Sequence, residues 1–252
     1  MADTSMLIAL LLTVTLAATD APAGPIPADE PGYLYKMTLV RAAPGKLLDL
    51  IAFQKDHLAR YEARGDAPPF WMRHSQGDQW DLLLLFPMES YAAYYHPDRI
   101  ARRQAQSADQ DTFRAGWRSL VAWQEDVFIY GPPLDEMQQA FSNASFYHVE
   151  MFQALPGLHE KLYEQREMEN AYYDVLGRPG NLIFARDQGA AWDVITIGFY
   201  RDIKHFAESA DIPIEDEERA ARAAGFESVS AISPYLRSLI LQHHDTLAGA
   251  VR

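Results

Sequence analysis

"YKMTLVRAAPG" (residues 35–45) and "YHVEMFQALPG" (147–157) are one pattern written twice, 112 residues apart. At that spacing the chain goes on matching itself without a gap. "GDAPPFWMRHSQGDQWDLLLL" (65–85) lies on "GRPGNLIFARDQGAAWDVITI" (177–197). From Tyr35 to Leu83 there are 12 identities in 49 positions, where ordinary compositions would give about three by chance. The identities fall on backbone punctuation: the Pro-Gly after the first segment, Gly65 with Gly177, and the "QGxxWD" of both halves. A period this long marks a duplicated unit. Further on, "RAGW" (114–117) meets "AAGF" (223–226) at a spacing of 109, which implies that the second half has lost three residues.

Each half reads as the same series of elements. Alternating apolar and polar residues make Tyr33–Arg41 and Phe146–Gln153 strands. In the first half Leu47, Leu50, Ile51, Leu58 and Tyr61 recur at helical spacing, and Gly65 and Gly177 suit a helix stop. Strands follow at Phe70–Ser75 and Trp80–Phe86, or Leu182–Arg186 and Trp192–Tyr200. Ser90 and Asp202 are good N-caps for a second helical region. A last strand is expected near Asp126–Tyr130 and near Ser238–His244. The order is β-α-β-β-α-β, the ferredoxin-like unit, over residues 33–135 and again over 145–247.

Two such units, each with Pro-Gly after strand one and "WD" opening strand three, resemble the dimeric α+β barrel superfamily. That superfamily includes antibiotic-biosynthesis monooxygenases, EthD-like and NIPSNAP-like proteins, muconolactone isomerases and haem-binding chlorite dismutases. The resemblance covers roughly residues 33–247. It implies an α+β fold in which two four-stranded sheets face each other with helices outside, here formed within one chain. Self-association is then not required, though not forbidden.

Composition narrows the function. The chain has 252 residues, 48% of them apolar and 12% aromatic, enough for a large core. A net charge of −13 repels phosphate backbones, so nucleic acid is not expected as a partner. The absence of cysteine excludes disulfides, thiolate metal sites and a cysteine nucleophile. Residues 1–24 read as a secretory signal: Leu7–Ala18 is apolar and short of the roughly 20 residues of a membrane span. The leader is atypical in having Asp3 and no Lys or Arg ahead of the apolar run. Residues 25–32 form a Pro-rich lead-in, and the mature protein is expected in the periplasm or outside the cell, without a membrane span.

On the first strand of each half, the uniformly apolar faces (Tyr35, Met37, Leu39; Tyr147, Val149, Met151) are assigned to the helices. The mixed faces (Lys36, Thr38, Val40; His148, Glu150, Phe152) are assigned to the barrel interior, with Trp80, Leu84, Phe86, Trp192 and Thr196. His74 is a further lining candidate, although strand two does not declare which face points in. An apolar wall with a few polar anchors is the composition of a small-molecule site. The expected ligand is small and aromatic or apolar.

His148 and Glu150, two residues apart on one face, stand where the halves diverge from Lys36 and Thr38. They are either structural hydrogen-bonding groups or a proton-transfer pair, with Lys36 stabilising developing negative charge. That gives three functions: an exported binding barrel, a cofactor-independent monooxygenase or isomerase, and a haem-binding barrel. No cofactor is predicted by the first two. For the third, the resemblance to chlorite dismutases implies a histidine ligand in the second half, where His148, His205, His243 and His244 are available. His243 and Asp245 share a strand face, but two ligands are too few to predict a metal.

Overall fold

The computed structural model describes residues 32–251, so the leader 1–24 and the lead-in up to residue 31 lie outside the described residues. The first repeat runs β1 (Tyr33–Ala42), α1 (Leu47–Asp56), α2 (Ala59–Ala63), β2 (Phe70–Gln76), β3 (Leu82–Glu89), α3 (Tyr91–Tyr94), α4 (Pro97–Ala105), α5 (Ser107–Leu120) and β4 (Val121–Gly131). A connector helix follows, α6 (Leu134–Asn143). The second repeat runs β5 (Phe146–Ala154), α7 (His159–Val175), β6 (Leu182–Gly189), β7 (Val194–Tyr200), α8 (Ile203–Ala207), α9 (Ile214–Ala223), α10 (Val229–Leu239) and β8 (Ile240–Ala250). Among the described residues no helix is long and apolar enough to cross a membrane.

The eight strands close into one antiparallel barrel in the order β1-β3-β2-β8-β5-β7-β6-β4. Each repeat supplies four consecutive strands, and the seams are β2–β8 and β4–β6. Duplicated residues do the same work in both halves. Asp81 and Asp193, from the two "WD" pairs, accept from the backbone N–H of Ala42 (2.8 Å) and Ala154 (2.9 Å), tying the end of the first strand to the start of the third. Gly77 and Gly189, from the two "QG" pairs, lie at the seams with φ of +119° and +112°. A Cβ on Gly77 would meet the Asp245 carbonyl oxygen at 2.1 Å, and one on Gly189 the Asp126 oxygen at 2.6 Å. Only glycine lets the strands approach so closely. Ser90 and Asp202 cap α3 and α8 as their sequence suggests, accepting from Ala93 N–H (3.1 Å) and His205 N–H (2.9 Å).

The strand faces are opposite to the sequence expectation. Tyr35, Met37, Leu39, Tyr147, Val149 and Met151 form one buried cluster with Leu83, Leu85, Val127, Ile129, Ile195 and Ile197. That cluster draws on all eight strands, so it is the barrel interior. The physical reason is size: an eight-stranded barrel is just wide enough for side chains to fill. A charge enclosed there would find neither water nor partners. The uniformly apolar faces therefore turn inward. The mixed faces turn toward the helices, where Val40 packs with Leu50 and Ile51, and Phe152 with Leu162. Leu84, Phe86 and Thr196 likewise face outward, while Trp80 and Trp192 do lie inside. On β2 the inward residues are Phe70 and Met72, with His74 edge-on to Trp80 at 5.6 Å. The connector α6 closes one end: Met137 is fully buried, and Phe141 stacks on Phe70 (4.8 Å) and meets Tyr147 and Phe199 (5.2 Å each).

The last strands also correct the alignment. Thr38 pairs with Asp126 on β4, and Glu150 pairs with Asp245 on β8. The equivalent aspartates are thus 119 residues apart, so the second repeat has gained seven residues rather than lost three. "AAGF" (223–226) belongs to the turn after α9 and is not the counterpart of α5.

Candidate functional site

Because the mixed faces look outward, the polar residues of the two first strands fall into separate places, one under each repeat's helices. In the first repeat a cavity of about 430 Å³ lies between the sheet and α1–α5. Phe86 and Phe128 form part of its sheet wall, and Tyr61, Tyr94 and Phe113 part of its helical wall. Tyr61 and Phe86 stand 5.8 Å apart, and the Arg60 guanidinium lies 4.2 Å from the Phe113 ring. At the sheet, Lys36 Nζ is 3.6 Å from Asp126 Oδ1 and 4.9 Å from the Phe86 ring centre. Thr38 Oγ1 donates to the same Asp126 oxygen at 2.6 Å.

Two further features shape this cleft. Asp66 sits between Arg99 (2.8 Å) and Arg103 (2.6 Å), pinning α4 to the loop after α2. Burial works to raise the Asp66 carboxyl, but the bonds from Arg103 and Arg99 outweigh it and hold the group below its ordinary value. The second is His57, whose Nδ1 lies 2.6 Å from the Phe53 carbonyl oxygen. A carbonyl can only accept, so Nδ1 carries a proton, and in the neutral imidazole Nε2 is the acceptor.

In the second repeat the equivalent space holds a charged network. His148 Nε2 is 2.7 Å from Asp245 Oδ1, and His243 Nε2 is 3.3 Å from Asp245 Oδ2. Glu150 Oε2 accepts from Thr196 Oγ1 (2.9 Å) and lies 3.4 Å from Arg166 Nη1. Arg166, with its side chain 1% exposed, also pairs with Glu169 and lies over the Phe152 ring at 4.7 Å. Burial pushes the Glu169 carboxyl up to about 7, more than Arg166 beside it can offset. Burial lowers the His148 pKa, but the Asp245 bond and the nearby carboxylates reverse this and leave it above its ordinary value. Asp245 is held low, first by the His148 bond.

The structure thus brings together His148, Glu150, Thr196 and Phe152, and separately Lys36, Thr38 and Phe86. Lys36 does not stand beside the His148/Glu150 pair. Trp80, Trp192 and His74 belong to neither group; Trp192 Nε1 donates to Glu125 (2.9 Å) at a mouth of the barrel. Sequence reasoning missed His57, Asp126, Arg166 and Glu169. Arg166 and Glu169 carried a signal: they extend the helical stripe of Leu162 and Tyr173, where an apolar residue would be expected.

The geometry defines the dimeric α+β barrel fold, built from two ferredoxin-like repeats in one chain, with the polar clusters between sheet and helices rather than inside the barrel. No family model matches the sequence, and no curated protein matches it. Solved structures do match. An anthrone oxidase-like protein aligns over 89% of this chain and 93% of its own, with a TM-score of 0.57 and 10% identity. A candidate monooxygenase from Fusobacterium nucleatum aligns over 88% and 94%, with a TM-score of 0.54 and 8% identity. A candidate chlorite dismutase aligns over 87% and 95%, with a TM-score of 0.47 and 11% identity. At these identities the first two likenesses show the fold alone.

Haem does not fit the second repeat as the chain is folded. The sheet–helix space is occupied by the buried Arg166 and its two carboxylates. Each histidine of that repeat faces a polar partner: His148 and His243 Asp245, His244 Asp78 (2.8 Å), His205 the Arg201 backbone N–H (3.2 Å) and His159 Asp193 (3.6 Å).

Proposed function

We propose that the first-repeat cleft binds a small aromatic molecule bearing an acidic substituent, such as a phenol or a carboxylate. The observation that carries this reading is the cavity of about 430 Å³ walled by Phe86, Phe113, Phe128 and Tyr61. Its volume is within the range of small-molecule sites. Lys36, Arg60, Arg64, Arg103 and Arg114 line the cleft together with Asp66 and Asp126, a positive excess that suits an anionic substituent. The secretory leader expected from the sequence of residues 1–24 accords with a ligand met in the periplasm or outside the cell.

A second reading is favoured by one specific group. His57, with Nε2 as acceptor in an aromatic cleft, is placed to take a proton from a bound phenol or from a carbon acidified by neighbouring rings. That is the opening step expected of an oxygenase or isomerase, and the anthrone oxidase-like neighbour accords with it. On this reading His57 carries proton transfer in place of His148 and Glu150, which do not line the cavity.

The test is a thermal-shift and calorimetric screen of phenols and aromatic acids. A ligand at a hundred times its Kd stabilises by about 2.7 kcal/mol, which raises the melting point by about 5–10 °C for a chain of this size. Phe86→Ala should weaken such a ligand about tenfold, and His57→Gln should abolish any turnover while retaining binding. The reading fails if no compound of the class binds, or if Phe86→Ala binds as tightly as the parent.

A further inference from the structure

We propose that His148, Glu150 and Asp245 form a binding site for a divalent first-row transition-metal ion. One ligand atom from each lies within 4.8 Å of the others, close enough to share one ion. One imidazole and two carboxylates are a donor set such ions accept, with remaining positions open to water.

The duplication supplies an independent argument. In the first repeat this position already has a cation: Lys36 Nζ, 3.6 Å from Asp126. Asp126 and Asp245 are equivalent by strand pairing, as are Lys36 with His148 and Thr38 with Glu150. The second repeat therefore has an imidazole where the first has an ammonium, and a carboxylate where the first has a hydroxyl, around the same aspartate. On the facing helix, Arg166 stands for Gln54 and Glu169 for His57, which adds one charge of each sign. The first-repeat set is electrically balanced with neutral His57. With all three carboxyls ionised and His148 neutral, the second carries two negative charges in excess. Charge partly withdrawn from water gains from a counter-charge: Glu150 is 13% exposed and Asp245 53%, and a divalent ion supplies positive charge at the place Lys36 holds in the first repeat.

The outer contacts are those of ligands held in place. Thr196 and Arg166 both engage Oε2 of Glu150. His243 engages the Asp245 oxygen that His148 does not. The Phe206 ring packs against the His148 imidazole at 5.3 Å. Such partners orient first-row ligands and raise affinity.

The experiment uses the whole chain, stripped with a chelator and titrated calorimetrically with Zn²⁺ and, separately, with Mn²⁺. One ion per chain should bind with micromolar or tighter Kd. Glu150→Gln and Asp245→Asn should each weaken binding at least tenfold, and His244→Gln should leave it unchanged. The double variant His148→Lys with Glu150→Thr, which writes the first repeat's residues into the second, should lose the site while keeping the parent circular dichroism spectrum and melting point. The proposal is overturned if neither ion saturates, if the double variant binds as the parent does, or if His244→Gln removes binding instead.

Discussion

The glycines of the repeat separate two kinds of backbone constraint, and comparing them by substitution tests the account of barrel closure. Gly157, in the turn after β5, has φ of +78°, and nothing lies within 4 Å of an added Cβ. Alanine there meets only the left-handed penalty, about 1 kcal/mol. Gly189 has φ of +112°, and its added Cβ would meet the Asp126 carbonyl oxygen at 2.6 Å and Val127 Cα at 2.9 Å. Both are backbone atoms of β4 and cannot rotate aside. The seam must open by roughly half an ångström, straining the pairing of Val127 with Gly189 and Phe128 with Gln188. One or two weakened ladder bonds at about 1 kcal/mol each, added to strain of about 1–3 kcal/mol, bring Gly189→Ala to about 3–4 kcal/mol. For a chain of this size that is a fall of about 10 °C, against about 2–4 °C for Gly157→Ala. Melting followed by circular dichroism, with urea unfolding as a second measure, reads both variants. If the two cost the same within 1 kcal/mol, the seam does not depend on close approach at Gly189 and the account of closure is wrong.

Two other substitutions test the charge networks. Arg166→Met leaves Glu150 and Glu169 buried without their shared guanidinium, and urea unfolding should show a loss of about 3–5 kcal/mol; adding Glu169→Gln to it should restore part of that loss. Asp66, held below its ordinary value between Arg103 and Arg99, contributes stability that is present above the unfolded-state pKa and lost as pH falls through the lower folded value. Asp66→Asn should therefore cost about 2 kcal/mol at pH 7 and flatten the fall in stability below pH 4. An unchanged acid limb in urea titrations at pH 2–5 would show that the Arg99–Asp66–Arg103 cluster contributes nothing.

The features readable in the sequence were those the backbone itself requires. Asp81 and Asp193 survive duplication because each holds the end of a first strand, and Gly77 and Gly189 because each closes a seam. Such residues tolerate little change, so they keep the two halves in register. Which face of β1 and β5 pointed inward was not readable. Alternation separates Tyr35 from Lys36 but does not say which side is the tighter space, and a mixed face suits a cavity as well as a helix-covered cleft. The closed barrel settles it by volume, a property of all eight strands together. Asp126, and its equivalence to Asp245, escaped for a different reason: the helical region between strands three and four changes length, so the 112-residue spacing that aligns Lys36 with His148 misaligns the aspartates that face them.

The duplication also explains how the two clefts could diverge while the barrel stayed whole. The interior rows are shared and interlocked, so a change there is felt by both repeats. The outward rows answer only to their own helices. Tyr61 and Tyr173 remain tyrosine at the same place in both clefts, yet around them Gln54 became Arg166, His57 became Glu169 and Lys36 became His148, or the reverse. None of these exchanges alters a residue that faces the barrel interior. Coupling between the clefts enters instead through the seams: Gly77 of the first repeat packs on the backbone of Asp245, and Gly189 of the second on that of Asp126. Each repeat thereby positions the aspartate on which the other's polar cluster is built, so a lone repeat would lack the contact that seats its own aspartate even if its four strands formed.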